Sequence, residues 1–269
     1  MCAHKLVIVR GGGDLATGII YRLWQAGFAV LCLETGRPLV VRRAVAVASA
    51  VFDGSVVIEG MRAVRLGSLS EFHGGTDEIS VLVDPRGEAI RALQPFAVVD
   101  AIMAKRNTGT CRSMAPLVVA IGPGFSAPAE VDAVVETQRG PDLGRVITNG
   151  SAAPNTGIPG LICGCSTERL LRAPSAGLVL PRKEIGGEVA AGEIVATVSG
   201  VPVAAQINGV LRGLIHRSVP VEKGCKIGDV DPRCIKAYCY TISDKALAVG
   251  GGVLEVLAGP ALRHGADHS

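Results

Sequence analysis

Leu6-Val7-Ile8-Val9-Arg10 runs directly into Gly11-Gly12-Gly13-Asp14-Leu15-Ala16-Thr17-Gly18. A short apolar run rich in β-branched residues reads as a buried strand. The glycines let the backbone turn sharply and let a phosphate approach it closely. Residues 15–26 then carry apolar side chains at helical spacing, with Leu15, Ile19, Leu23 and Trp24 near one face, and Gly27 ends the helix. A second apolar run over 28–33 ends in Glu34. Strand, glycine turn and helix in that order are the context of a dinucleotide fingerprint, and Gly11, Gly13 and Ala16 fit its spacing. Glu34 stands near the distance at which a second-strand carboxylate meets a ribose hydroxyl. Gly11, Gly12, Gly13, Asp14, Ala16, Gly18 and Glu34 are therefore the expected cofactor contacts. The alternative is a Rossmann-like scaffold whose glycines serve only helix–strand packing.

The chain has 269 residues, 48% of them hydrophobic and 19% charged, so a sizeable core is expected. A net charge of +3 and an aromatic content of 3% argue against a nucleic-acid partner. No apolar run approaches a membrane span. Met1-Cys2-Ala3-His4-Lys5 leads straight into the first strand, so no leader is expected. Eight cysteines, at 2, 32, 111, 163, 165, 225, 234 and 239, are scattered, several within apolar runs. That pattern favours reduced thiols in a cytoplasmic protein.

Further along, residues 39–52 fit a helix best, on their alanines. Strands are expected at 56–58, 63–66, 79–83, 96–100 and 117–121, with a half-exposed strand over 130–136. Residues 149–160 are rich in turn formers and mark a boundary or a long loop. Residues 173–198 align with 205–230 at an offset of 32. Two copies of one small hairpin unit suggest a barrel-sandwich hybrid like the biotinyl and lipoyl carriers. The linker Gly200-Val201-Pro202-Val203-Ala204-Ala205 lacks their lysine, so a swinging-arm role is contradicted. Gly250-Gly251-Gly252 reads as a packed turn before a closing helix. The expected fold is α/β: a Rossmann-like parallel sheet over 1–160, then a β-rich barrel-sandwich hybrid over 161–269.

Several constellations carry possible chemistry. Asp100 and Lys105 flank the carboxyl end of an expected parallel strand, where open α/β sheets place ligands; solvated loop charges are the alternative. Asp229 and Asp231 share one side of an extended segment beside Arg233, and either hold a cation, anchor arginines or form a structural turn. Lys223, Lys226 and Lys236 would neutralise a bare metal site there, so no metal is expected. Cys163-Gly164-Cys165 has no second pair at metal spacing, and the histidines at 4, 73, 216, 264 and 268 form no zinc pattern. Cys239 reads as buried packing.

Taken together, Arg10 to Gly18, Asp100-Ala101-Ile102-Met103-Ala104-Lys105, Gly122-Pro123-Gly124-Phe125, Leu143-Gly144-Arg145-Val146-Ile147, Lys226 to Arg233, Ile242-Ser243-Asp244-Lys245 and Gly250 to Glu255 resemble the YqeB family. The resemblance runs nearly end to end. It implies an accessory protein for maturation of a selenium-dependent molybdenum hydroxylase, related distantly to xanthine dehydrogenase accessory proteins. It also implies the hydroxylase apoenzyme as partner and a small-molecule cofactor, with a homo-oligomer as an option. Candidate cofactors are NAD(P), another nucleotide, or a molybdopterin species. Asp229, Asp231, Arg233, Asp244 and Lys245 would form a lid or second site. The alternatives are an NAD(P)-dependent oxidoreductase, which lacks a visible proton donor, and a non-catalytic scaffold.

Overall fold

A computed structural model describes residues 5–157 and 159–259. Cys2, His4, His264 and His268 lie outside the described residues.

The chain opens β1 (Leu6–Arg10), α1 (Asp14–Gln25), β2 (Ala29–Glu34). After a short helix, α2 (Ala50–Asp53), come β3 (Ser55–Ile58), β4 (Met61–Arg65), β5 (Ile79–Val83), α3 (Glu88–Leu93), β6 (Ala97–Asp100), β7 (Val118–Ile121), β8 (Ala133–Val135) and β9 (Val146–Ile147). Among the described residues these nine strands form one sheet in the order β3-β4-β5-β2-β1-β6-β7-β8-β9. The strands from β4 to β8 pair in parallel. β3 and β9 pair antiparallel at the two edges. Successive residues of the central strands enter two different cores, as the period of two requires. Val7, Val9, Val30, Cys32, Val99 and Val119 pack toward α1. Ile8, Leu31, Val98, Val118 and Ala120 pack toward α3.

The second half holds β10 (Leu170–Arg172), β11 (Gly177–Pro181), β12 (Glu188–Val189), β13 (Ile194–Val198), β14 (Val201–Ala204), β15 (Gly209–Leu214), β16 (Pro220–Val221) and β17 (Lys226–Asp231). β11, β12 and β13 start 32 residues before β15, β16 and β17, so the repeat is structural. It builds two antiparallel sheets, β10-β17-β15-β12 and β14-β13-β11-β16, each borrowing the short strand of the other copy. β10 and β14 lie outside the paired units and widen each sheet to four strands.

The expectation of a parallel Rossmann-like sheet followed by a biotinyl/lipoyl-like barrel-sandwich hybrid is therefore corrected. The first sheet is mixed, and the second half is a pair of antiparallel sheets without a clear carrier barrel. The final helix departs further. α4 (Asp244–Ala258) runs through Gly250, Gly251 and Gly252 without a turn. Its Ala246, Val249, Val253, Val256 and Leu257 join the α1 side of the first core instead of closing the second. Gly250 and Gly252 sit inside this helix because it lies backbone to backbone against Gly18 of α1 and against Gly144; Gly251 faces open space.

Two local expectations also shift. Residues 39–52 give short 3-10 turns and the brief α2 in place of a full helix. The strand over 130–136 is not half-exposed: Val131 and Ala133 to Val135 are fully buried, because β8 lies inside the sheet.

Candidate functional site

At the switch point between β1 and β6 the glycine turn is filled by the chain itself. Gly11 has φ +92°, and a β-carbon there would lie 3.0 Å from the Ala101 carbonyl oxygen. The Gly12 N–H donates to Glu34 Oε2 at 2.8 Å, and the Gly12 carbonyl accepts from Ala48 N–H at 2.9 Å. Glu34 Oε1 also accepts from Thr35 N–H. Gly13 is the N-cap of α1 and accepts from the Thr17 backbone and hydroxyl. Asp14 faces Arg42 at 3.5 Å, while Arg42 donates to the carbonyls of Tyr238 and Thr241. Ala16 is buried in the first core. A β-carbon on Gly18 would collide with the Ala246 carbonyl. The turn thus joins β2, the 42–50 segment and α4 to one another.

Asp100 is also internal. It is 2% exposed and accepts from the Thr110 hydroxyl and from Ile102 N–H, with Arg10 bound to the same threonine. Burial pushes its carboxyl above the ordinary range, against the hydrogen bonds from Thr110 and Ile102 and the charge of Arg10.

Three residues along, the backbone opens onto a cleft of about 320 Å³. Met103 and Lys105 line it from the end of β6, Pro123 from the end of β7, and Thr137, Gln138 and Arg139 from the end of β8. The 153–156 segment, Gly160 and Lys245 of α4 complete the wall. Met103 and Lys105 both have positive φ, 59° and 63°. Gly124 (φ +111°) makes room for the Lys105–Arg106 backbone: a β-carbon there would stand 2.8 Å from Arg106 N. The far wall is held by Glu136, 6% exposed, whose carboxylate accepts from Thr137 N–H and Gln138 N–H at 2.6 Å and Ala153 N–H at 2.7 Å.

The electrostatics of the cleft are cationic. Arg139 pairs in bidentate fashion with Asp244 at 2.8 and 2.9 Å, which holds the Asp244 carboxyl far below its ordinary range. Lys245 makes no ion pair among the described residues. Burial pushes its amine below the usual lysine range; Asp14, Glu136 and Asp244 oppose that, and Arg139 adds to it. Ser243 caps α4 by accepting from Ala246 N–H, so Lys245 also sits at the positive end of the helix dipole.

Of the residues expected from sequence, Lys105 and Lys245 meet in this cleft, with Asp244 beside them. Asp229 is buried against Arg169 at 3.0 Å, and Asp231 is bound by Arg233 at 2.6 Å and faces Arg212 at 3.5 Å. These two carboxylates anchor arginines within β17. Arg139, Thr137, Gln138 and Glu136 escaped the sequence reading. Their signal was the polar run directly after an apolar strand, at the end where α/β sheets place ligands.

The described cysteines are all free, Cys163 and Cys165 included. Cys239 is fully buried, and burial pushes its thiol up. Among the described residues no three His, Cys, Asp or Glu side chains are grouped to hold a metal ion. Nor is any described helix long and apolar enough to cross a membrane.

No family model matches the chain. Among solved structures it resembles the ectoine utilization protein EutE (DoeB) of Ruegeria pomeroyi, with 10% identity, 85% of each chain covered and a TM-score of 0.28. An aspartoacylase family protein of Mesorhizobium loti gives 12% identity, 85% of each chain and 0.27. A succinylglutamate desuccinylase/aspartoacylase of Rhodobacter sphaeroides gives 12%, 85% of each chain and 0.27. At these TM-scores the likenesses carry no argument about activity. The expected role as a selenium–molybdenum hydroxylase accessory factor is corrected: no family model carries it, and the sequence relative that the chain matches is described only as uncharacterized. The sequence matches the uncharacterized protein YqeB of Escherichia coli (strain K12) at 46% identity over 256 residues. Across 94% of its length the chain is a relative of YqeB, and it spans about half, 47%, of that curated protein.

Proposed function

We propose that the protein binds a small organic anion in the cleft at the carboxyl ends of β6–β8, beneath the first turn of α4. The observation that carries this is the convergence of Lys105, Arg139 and Lys245, from three separate segments, on one cleft of about 320 Å³. Such a volume suits a metabolite-sized molecule. Arg139 is partly neutralised by Asp244, so Lys105 and Lys245 supply the uncompensated charge. Thr137, Gln138 and Asn155 offer hydrogen bonds to carboxylate or phosphate oxygens. Two non-glycine residues held at positive φ in one wall support a functional reading, since such backbone persists where its surroundings over-determine it. A cytoplasmic location belongs to the same proposal, supported by the free cysteines.

Thermal unfolding of the full chain with succinate, citrate or inorganic phosphate, at constant ionic strength, tests it. A ligand at about 100 times its dissociation constant stabilises by about 2.7 kcal/mol. At least one anion should raise the midpoint above that of a chloride control. No shift with any of the three would overturn the reading.

A further inference from the structure

We propose that Lys245 is a nucleophilic amine that condenses with the carbonyl carbon of a small 2-oxo acid held in the cleft. This inference rests on the anion-binding reading and names its substrate class.

Three geometric observations converge on the amine. Lys245 lines the cleft, yet no described carboxylate lies within ion-pairing distance of it, in a structure where Lys183 and several arginines have such partners. It stands in the first turn of α4, just after the Ser243 cap, where the helix dipole disfavours an ammonium. The charged groups around it are Asp14, Glu136, Asp244 and Arg139. Asp14, Glu136 and Asp244 favour its proton through their charge, but each has another partner: Asp14 faces Arg42, Glu136 accepts from three backbone N–H groups, and Asp244 is held by Arg139. Burial lowers its proton affinity, in the same direction as the helix dipole. A half-buried lysine without an ion-pair partner, beside other cations, suits an amine that attacks carbonyl groups.

The cleft also explains why the carbonyl compound would be an acid. Lys105 lines the same cleft as Lys245, so it can hold the carboxylate of a substrate whose adjacent carbonyl meets Nζ. The unprotonated amine adds its electron pair to the carbonyl carbon. The tetrahedral adduct then loses the former carbonyl oxygen and both amine protons as one water, leaving a C=N bond. No oxidant or reductant enters this step.

Incubating the full chain with pyruvate or 2-oxoglutarate and cyanoborohydride traps the imine as a secondary amine. The protein should gain the mass of the oxo acid less one oxygen atom, and peptide mapping should place the gain on Lys245. Lys245→Arg should lose the label, and excess succinate should protect the wild type. Lys105→Ala should label more slowly through weaker binding. Labelling spread evenly over surface lysines, or unchanged in Lys245→Arg, overturns the inference. If succinate binds and no adduct forms, the imine fails while the anion site stands. If nothing binds and nothing is trapped, both fail.

Discussion

Gly18 and Gly250 meet backbone to backbone where α1 crosses α4: a β-carbon on Gly250 would stand 2.5 Å from the Gly18 carbonyl oxygen. The crossing fixes the start of α4, and with it Lys245, over the ends of the parallel strands. Gly18→Ala should therefore overpack the crossing and cost about 1–3 kcal/mol. Gly13→Ala should cost less, because the nearest atom to a β-carbon there is 3.9 Å away. Urea midpoints of the two variants check the order. Equal losses would show that helices α1 and α4 can separate freely.

Asp229 and Asp244 both pair with arginine, in very different surroundings. The side chains of Asp229 and Arg169 are 6% and 7% exposed, those of Asp244 and Arg139 74% and 49%. Removing one partner of a buried pair strands the other, so Asp229→Ala should cost about 3–5 kcal/mol. Arg139→Ala should cost under about 1 kcal/mol, since solvent screens an exposed pair. Equilibrium unfolding measures both.

The Arg139–Asp244 pair also has a predictable pH dependence. The folded carboxyl is held below its unfolded value by the Arg139 hydrogen bonds. Its contribution is thus complete above the unfolded carboxylate pKa, about 3.9, and fades only as pH falls through the lower folded value. The stability difference between wild type and Arg139→Ala should be flat from neutral pH to about pH 5 and shrink only below the usual carboxylate range. A difference that vanishes already at pH 6 would contradict the pairing.

Glu136 holds the wall of the cleft through the N–H groups of Thr137, Gln138 and Ala153. Glu136→Ala should cost about 1–3 kcal/mol by leaving donors without their acceptor. It should also weaken anion binding without removing any cationic side chain from the cleft. Unfolding and titration of the same variant test the two effects together.

The strand–turn–helix opening was legible because β1 and β2 are apolar on both faces and α1 carries a clear stripe. The repeat was legible because Gly177 and Gly209, and Val189 and Val221, recur at one spacing. What the repeat builds was not, since a 32-residue offset does not say which sheet each short strand joins. The glycines were the least decisive. Gly11, Gly12 and Gly18 look the same in sequence whether a phosphate or a neighbouring backbone requires them. Here Ala101, Ala48 and Ala246 are the neighbours, and the partner of Gly18 lies more than two hundred residues away. Lys105 and Lys245 were singled out separately; only the placement of α4 brings them to one cleft.

The central claim is tested most directly by calorimetric titration of a dicarboxylate into wild type and Lys105→Glu under identical salt. Binding should be measurable in the wild type, weaken as salt rises, and fall about tenfold or more in the variant, the loss of one charge-assisted contact. Equal affinity in the two proteins, or no heat in either, would contradict an anion site at the ends of β6–β8.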